Sequence, residues 1–370
     1  KMVNLQSKVE FLKITKLISF SIRCIIFDFG LISKISGKFF FPFYVLINIY
    51  LTINKIPELL EAKNVLELWI QICTTIGLGG VFIKVFTICY YEEEIFELFK
   101  WIEDFFLDNA EPILAKLRAK SLDKTLWILK LFLKFYITSL ALIVTYGNFF
   151  YLINDIQVIN IPWEVSKSVN VYLQILLYFT YIFMYGIPIM CFGCMGIIFI
   201  GILKFYNESI ALLEKTEKDL LEDGFILILH KLHCEIHRKF CIYEKIFLYF
   251  VFFDIVFNAG PIIGLLIIIR LYPYMNIFYI IFVLIVSQQL IYCIFGQLIF
   301  TETEKISDRL YLTKWYDMKR EDKQFLLLMM MMSSRPFGLK AAGMYAINIV
   351  LFVKIMKLCF SYYAILYTFL

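Results

Sequence analysis

Histidine is almost missing from this chain: 370 residues hold three, His230, His233 and His237. They stand at helical spacing, so two readings compete: a metal pair on one helix face, or imidazoles that simply face water, which is the ordinary case. A glycine-rich phosphate loop, a GxSxG elbow and an HExxH sequence are absent, and no two carboxylates sit together inside an apolar stretch. That leaves no acid–base, nucleophilic or phosphoryl-transfer machinery, so no enzyme, cofactor or metal is expected. Charge is sparse as well, at 18% of residues. The net charge of +5 is scattered between apolar runs and forms no patch that would take nucleic acid.

The nine cysteines supply no framework either. Cys73, Cys89, Cys191, Cys194, Cys293 and Cys359 lie within apolar runs, while Cys24, Cys234 and Cys241 fall in segments read below as cytosolic, where thiols stay reduced. Cys191-Phe-Gly-Cys194 has the spacing of a redox or zinc pair, yet it sits in an uncharged run without His or carboxylate partners and reads as core packing.

What is present is hydrophobic mass. Apolar residues make up 61% of the chain and aromatics 18%, with a mean hydropathy of +0.78, against about 45–50% apolar content in soluble domains. The chain reads as a polytopic membrane protein. Seven stretches are read as bilayer spans: Phe39 to Ile53, which is short, then Leu66 to Cys89, Leu126 to Tyr151, Val171 to Leu203, Ile246 to Ile269, Ile277 to Phe300 and Gly343 to Leu370. None alternates like a barrel strand, so the expected fold class is all-α with seven transmembrane helices. The fourth carries no formal charge and is too long for one perpendicular crossing, so it should tilt or run on as a helix into water.

Lysine and arginine set the orientation. The N-terminal segment carries Lys1, Lys8, Lys13, Lys16, Arg23, Lys34 and Lys38, and the connections around 91–124, 204–245 and 302–340 are also basic, whereas the alternate connections hold only Lys55 and Lys63, Lys167, and Arg270. The N-terminus is therefore expected in the cytosol and the C-terminus outside, the reverse of a G-protein-coupled receptor. Phe11 to Gly30 mixes apolar residues with Lys13, Lys16 and Arg23 and lacks a signal-peptide cleavage site, which suits an interfacial or re-entrant helix. Glu92 to Lys120 and Lys204 to Arg238 interleave charge with large apolar residues and should continue the membrane helices inward and pack together under the bilayer. On the outer side, only the connection around 147–170, with Asp155 and Pro162-Trp163-Glu164, is long enough to cover something. The sequon Asn207-Glu-Ser209 falls on the inner side and is expected to stay unglycosylated. Asp254 is the sole carboxylate well inside a span. It is a functional candidate on that ground, although water or a snorkelling Lys245 would also satisfy it.

The end of the chain carries the most specific pattern. Tyr311 and Trp315-Tyr316 precede Lys319-Arg320 and the long apolar run Phe325 to Met332; Ser334-Arg335-Pro336 makes a corner, Ala342-Gly343 opens the last apolar run, and Ser361-Tyr362 stands near its end. A chain that stops at the rim of such a helix is expected to work through the helix itself, as a pore wall. These residues resemble the insect odorant receptors, and length, seven spans, inverted orientation and the long fourth helix follow the same pattern. The related gustatory receptors end in Thr-Tyr, five apolar residues and Gln-Phe, where this chain has Thr368-Phe369, so the odorant branch fits better and a gustatory-type channel is the alternative. With no enlarged second cytosolic loop, the chain is similar to a ligand-selecting subunit and not to the co-receptor. A G-protein-coupled receptor would show an Asp/Glu-Arg-Tyr turn and Asn-Pro-x-x-Tyr, and a transporter internal repeats; neither pattern is found.

The resemblance implies an odorant-gated, non-selective cation channel in the plasma membrane of a sensory neuron dendrite, a heterotetramer with co-receptor subunits that takes a small volatile ligand. It divides the chain into a cytosolic N-terminal segment (1–36), six transmembrane helices with an outer-half pocket (37–300), cytosolic anchor helices (301–342) and a pore-lining helix (343–370). Met329 to Met332 would lie in the anchor. On the pore helix, Ile365, Thr368 and Phe369 share one face; Ile365 and Phe369 are the expected apolar gate, while Lys357 and Lys354 are unexpected in a cation path. For the pocket, among the second to sixth helices, the matching positions are Ile72, Thr75 and Ile76; Ser139, Leu142 and Tyr146; Tyr181, Ile182 and Tyr185; Ile262 and Ile263; and Tyr279. Tyr146, Tyr181 and Tyr185 are favoured there because their hydroxyls suit an ester, aldehyde or alcohol oxygen.

Overall fold

Long apolar runs fold as helices because nothing else satisfies the backbone where water is absent. The computed structural model describes residues 2–26, 38–61, 65–107, 112–154, 166–215 and 224–369. Its helices are α1 (Met2–Ile26), α2 (Phe40–Glu61), α3 (Val65–Tyr90), α4 (Glu92–Leu107), α5 (Pro112–Asn154), α6 (Lys167–Lys215), α7 (Phe225–Leu271), α8 (Asn276–Tyr311), α9 (Arg320–Ser333) and α10 (Ile349–Phe369), with a small hairpin, β1 (Lys340–Ala341) and β2 (Tyr345–Ala346), before the last. Asp155 and Pro162-Trp163-Glu164 lie outside the described residues.

Six of these helices, α3, α5, α6, α7, α8 and α10, are long and apolar enough to cross a membrane. The first predicted span forms α2, which packs against α3 and continues to Glu61; Asn48, Asn54 and Lys55 dilute it, and it is not among the six. The charge-free fourth run becomes α6, 49 residues long, which does run on as a helix past its apolar part. Its most apolar stretch is wholly buried inside the protein, so the missing charge is explained by its central position. α5 is the opposite case: Trp127, Leu131 and Phe135 are exposed, an outward face suited to lipid.

Beyond the spans, the interleaved segments pack as their periodicity requires. Ile95, Leu98, Phe99, Ile102 and Phe106 of α4 are buried, and Glu92, Glu93 and Glu94 occupy its first turn, where carboxylates suit the helix dipole. Trp101 Nε1 donates to Glu235 (2.7 Å), and Lys239 pairs with Glu97, holding α4 on α7 and keeping the largely exposed Glu97 carboxyl below its usual range. The apolar side of α1 is packed on protein: Phe11, Ile18, Ile22 and Ile25 are buried, and Phe11 meets Phe106 edge-on. The histidines likewise do not all face water. His233 is buried against Tyr206, while His230 and His237 lie against Phe325 and Phe337. Among the described residues no cluster has the makings of a metal site.

The division at 300/301 falls inside α8, and the division at 342/343 falls inside the hairpin turn. The last helix begins at Ile349 because the chain first turns back through Ala342 (φ +49°) and Gly343 (φ +73°), and because Asn348 caps the helix by accepting from Leu351 N–H (2.8 Å). Just before that cap, the Ile347 carbonyl lies so close to Gly296 of α8 that a Cβ there would stand 2.1 Å from its oxygen. Backbone cannot yield as a flexible side chain can. Gly296→Ala is therefore expected to destabilise the protein by about 1–3 kcal/mol, as overpacking does, and to displace the start of α10; the melting temperature of purified protein, lower than wild type, is the check.

Candidate ligand cavity

Five helices, α3, α5, α6, α7 and α8, surround a cavity of about 370 Å³. Its body is apolar: Phe132 from α5, Ile182 and Phe192 from α6, Pro261 and Leu265 from α7, and Phe278, Ile281 and Phe295 from α8. Pro188 inside α6 and Pro261 inside α7 each remove a ladder hydrogen bond beside this space.

One part of the wall is polar, and it is built on a buried ion pair. Lys84 of α3 and Asp254 of α7 meet at 2.6 Å with both side chains 1% exposed. Attraction of charge holds the ammonium, together with the face of Tyr185, whose ring centre is 3.5 Å away. Gln288 of α8 joins the pair to the cavity. Its amide nitrogen donates to Asp254 and to the Tyr292 hydroxyl (2.9 Å), and its oxygen accepts from the Tyr185 hydroxyl. Gln289 Nε2 donates to the Asp254 backbone carbonyl (3.3 Å). Four helices are thereby tied at one point, and Tyr185, Gln288 and Tyr292 carry the network to the wall.

This settles Asp254 differently from the sequence reading. Its partner is Lys84, whereas Lys245 pairs with Glu94 (3.6 Å). Lys84, Gln288 and Asn258 were missed in the sequence, although each is a polar residue inside an apolar run; the spacings Asp254–Asn258 and Gln288–Tyr292 place each pair on one helix face.

Of the expected pocket positions, the structure brings Ser139, Tyr181, Ile182 and Tyr185 to the cavity wall. The others stand elsewhere. Thr75 donates to the Gln71 carbonyl, and Ile76 packs on Gly260; neither they nor Ile72 reach the wall, where α3 presents Cys73, Thr74 and Gly77. Leu142, Tyr146 and Tyr279 are exposed; Ile262 is buried off the wall, and Ile263 is not on it either. On α10, Ile365, Lys354, Lys357 and Thr368 are exposed, with the Thr368 hydroxyl donating to the Ile365 carbonyl (2.6 Å). Phe369 closes the described helix.

Comparison with known proteins bears on this architecture. The whole fold is similar to the insect olfactory receptor OR5 from Machilis hrabei in complex with eugenol, with a TM-score of 0.77 over 98% of this chain and 100% of that one at 10% identity. It is similar also to the structure of that receptor described without a ligand, with a TM-score of 0.77 over 97% and 99% at 11% identity. No curated protein matches the sequence. The model of the 7tm Odorant receptor family matches residues 64–360, from the start of α3 into α10, and the chain belongs to that family.

Proposed function

We propose that this chain is the ligand-selecting subunit of an odorant-gated, non-selective cation channel of the plasma membrane of sensory neuron dendrites. In this reading a small volatile molecule occupies the cavity among α3, α5, α6, α7 and α8, in the outer half of the membrane, and opens a central pore lined by α10 in a heterotetramer with the co-receptor. The observation that carries it is the cavity itself: 370 Å³, bounded mostly by apolar and aromatic side chains with a few convergent polar groups, in a member of the odorant receptor family. The OR5 complex with eugenol gives the same scale of ligand, a small aromatic volatile.

Ser139, Tyr181, Ile182 and Tyr185 are the ligand contacts in this account. Ile365 and Phe369 form the gate, with Thr368 the polar rung between them. Lys357 faces a wide inner vestibule or the headgroups. Exposed Leu327, Leu328 and Met331 on α9 suit contact between subunits in the anchor, opposite the buried Met329, whose sulfur accepts from the Tyr206 hydroxyl. Current recordings against an odorant panel, with and without co-receptor, test the reading. Odorant-evoked cation current is expected only with the co-receptor; current from this chain alone would remove the partner, and no current under any odorant would remove the channel.

A further inference from the structure

The cavity wall spends most of its hydrogen-bonding groups on the protein. Tyr136 donates to the Gly186 carbonyl, Ser139 to that of Phe135 and Thr74 to that of Ile70, the Tyr185 proton goes to Gln288, and Gln288 gives its own protons to Asp254 and Tyr292. Asn258 differs. It lines the cavity, is only 7% exposed, and its amide nitrogen is shut off from water with no hydrogen-bond partner among the described residues. Asp254, one turn away on α7, is engaged by Lys84 and Gln288.

A buried amide N–H without a partner has lost the bond it made in water and gained none, a state that native interiors rarely leave uncorrected. The correction available here is a ligand atom. Asn χ2 is a broad, soft torsion, so a rotation that leaves the helix untouched presents the amide to the cavity. What it offers there is a donor, which a carbonyl or ether oxygen accepts and a hydrocarbon does not. Of the three tyrosine hydroxyls favoured in the sequence, that of Tyr185 is occupied by Gln288, that of Tyr181 is engaged within the protein, and Tyr146 lies off the wall.

We propose that Asn258 is the polar anchor of the cavity, and that its ligands are small apolar volatiles carrying one hydrogen-bond-accepting oxygen, as in ketones and esters. The oxygen meets the Asn258 amide while the hydrocarbon body lies against Phe132, Ile182 and Leu265. This rests on the ligand-cavity reading above.

The test uses shape-matched probes: acetophenone against α-methylstyrene, and 2-heptanone against 2-methyl-1-heptene, in each of which a C=CH2 group replaces C=O. Currents are recorded from the full chain with its co-receptor, at measured surface expression. In wild type each ketone is expected to be more potent than its alkene by about tenfold or more, the size of one desolvated hydrogen bond. In Asn258→Leu, of nearly the same shape, the ketone should lose about that factor while the alkene keeps or gains potency. An unchanged ketone-to-alkene ratio in Asn258→Leu, alkenes equal to ketones in wild type, or wild-type silence to all four probes overturns the proposal. The wild-type comparison stands even if the variant fails to reach the surface. Ile182→Trp separates the two levels of the argument. If it removes the response to ketone and alkene together while Asn258→Leu leaves their ratio intact, only the anchor is wrong; if both responses survive Ile182→Trp, the cavity reading is wrong.

Discussion

Lys84→Met is expected to abolish most of the folded protein. It leaves the Asp254 carboxylate buried without its counter-charge, and breaking a buried pair from one side costs about 3–5 kcal/mol, a large share of the roughly 5–15 kcal/mol that holds a protein folded. Asp254→Leu should be equally damaging, since it strands the ammonium beneath the Tyr185 ring. The double variant Lys84→Met, Asp254→Leu should recover much of the loss, because two apolar residues fill the site without a charge to desolvate. The measurement is the yield and melting temperature of detergent-purified protein for the four members of the cycle. Single variants that melt like wild type would show that the pair does not hold the four helices together. A double variant that folds but responds to odorants only at much higher concentrations would assign the network to the cavity wall as well as to stability.

Filling the cavity should silence the receptor without unfolding it. Ile182→Trp and Ser139→Phe each push an aromatic ring into the 370 Å³ space from a different helix. A loss of at least about 100-fold in odorant potency is expected, about 2.8 kcal/mol at 1.4 kcal/mol per tenfold, with surface expression near wild type because the added volume enters a void. Leu142→Trp is the control. Leu142 is 55% exposed and off the cavity wall, so its substitution should leave potency unchanged. A strong effect at Leu142 with none at Ile182 would place the ligand outside the bundle.

The contrast between Leu142 and Ile182 also shows how far the sequence could be read. Six of the seven expected spans recur as helices long and apolar enough to cross a bilayer, because length and apolar composition alone mark them. The charge-free run of α6 predicts a helix that tilts or runs on past its apolar part; its central position is a finding of the structure. What could not be read was helix phase. A span apolar on all sides has no polar face to orient it, so the sequence points to Ile72, Thr75 and Ile76 on α3, whereas Cys73, Thr74 and Gly77 line the cavity. The polar residues did carry phase: Asp254 with Asn258 and Gln288 with Tyr292 each mark one face, and those faces meet at the cavity. Lys84 leaves little mark in the sequence because a single lysine barely lowers the hydropathy of its run. The helix α10 begins at Ile349, after Gly343, which in a sequence reads equally well as the opening of a helix or as a turn residue at positive φ.

The most direct measurement is the structure by electron cryomicroscopy of the odorant-bound assembly, with an activating ketone at saturating concentration. The account predicts ligand density within the cavity among α3, α5, α6, α7 and α8, its oxygen against Asn258, and α10 helices around one central axis with Ile365 and Phe369 drawn apart. An empty cavity with ligand density elsewhere, or α10 turned to lipid away from any axis, would contradict it.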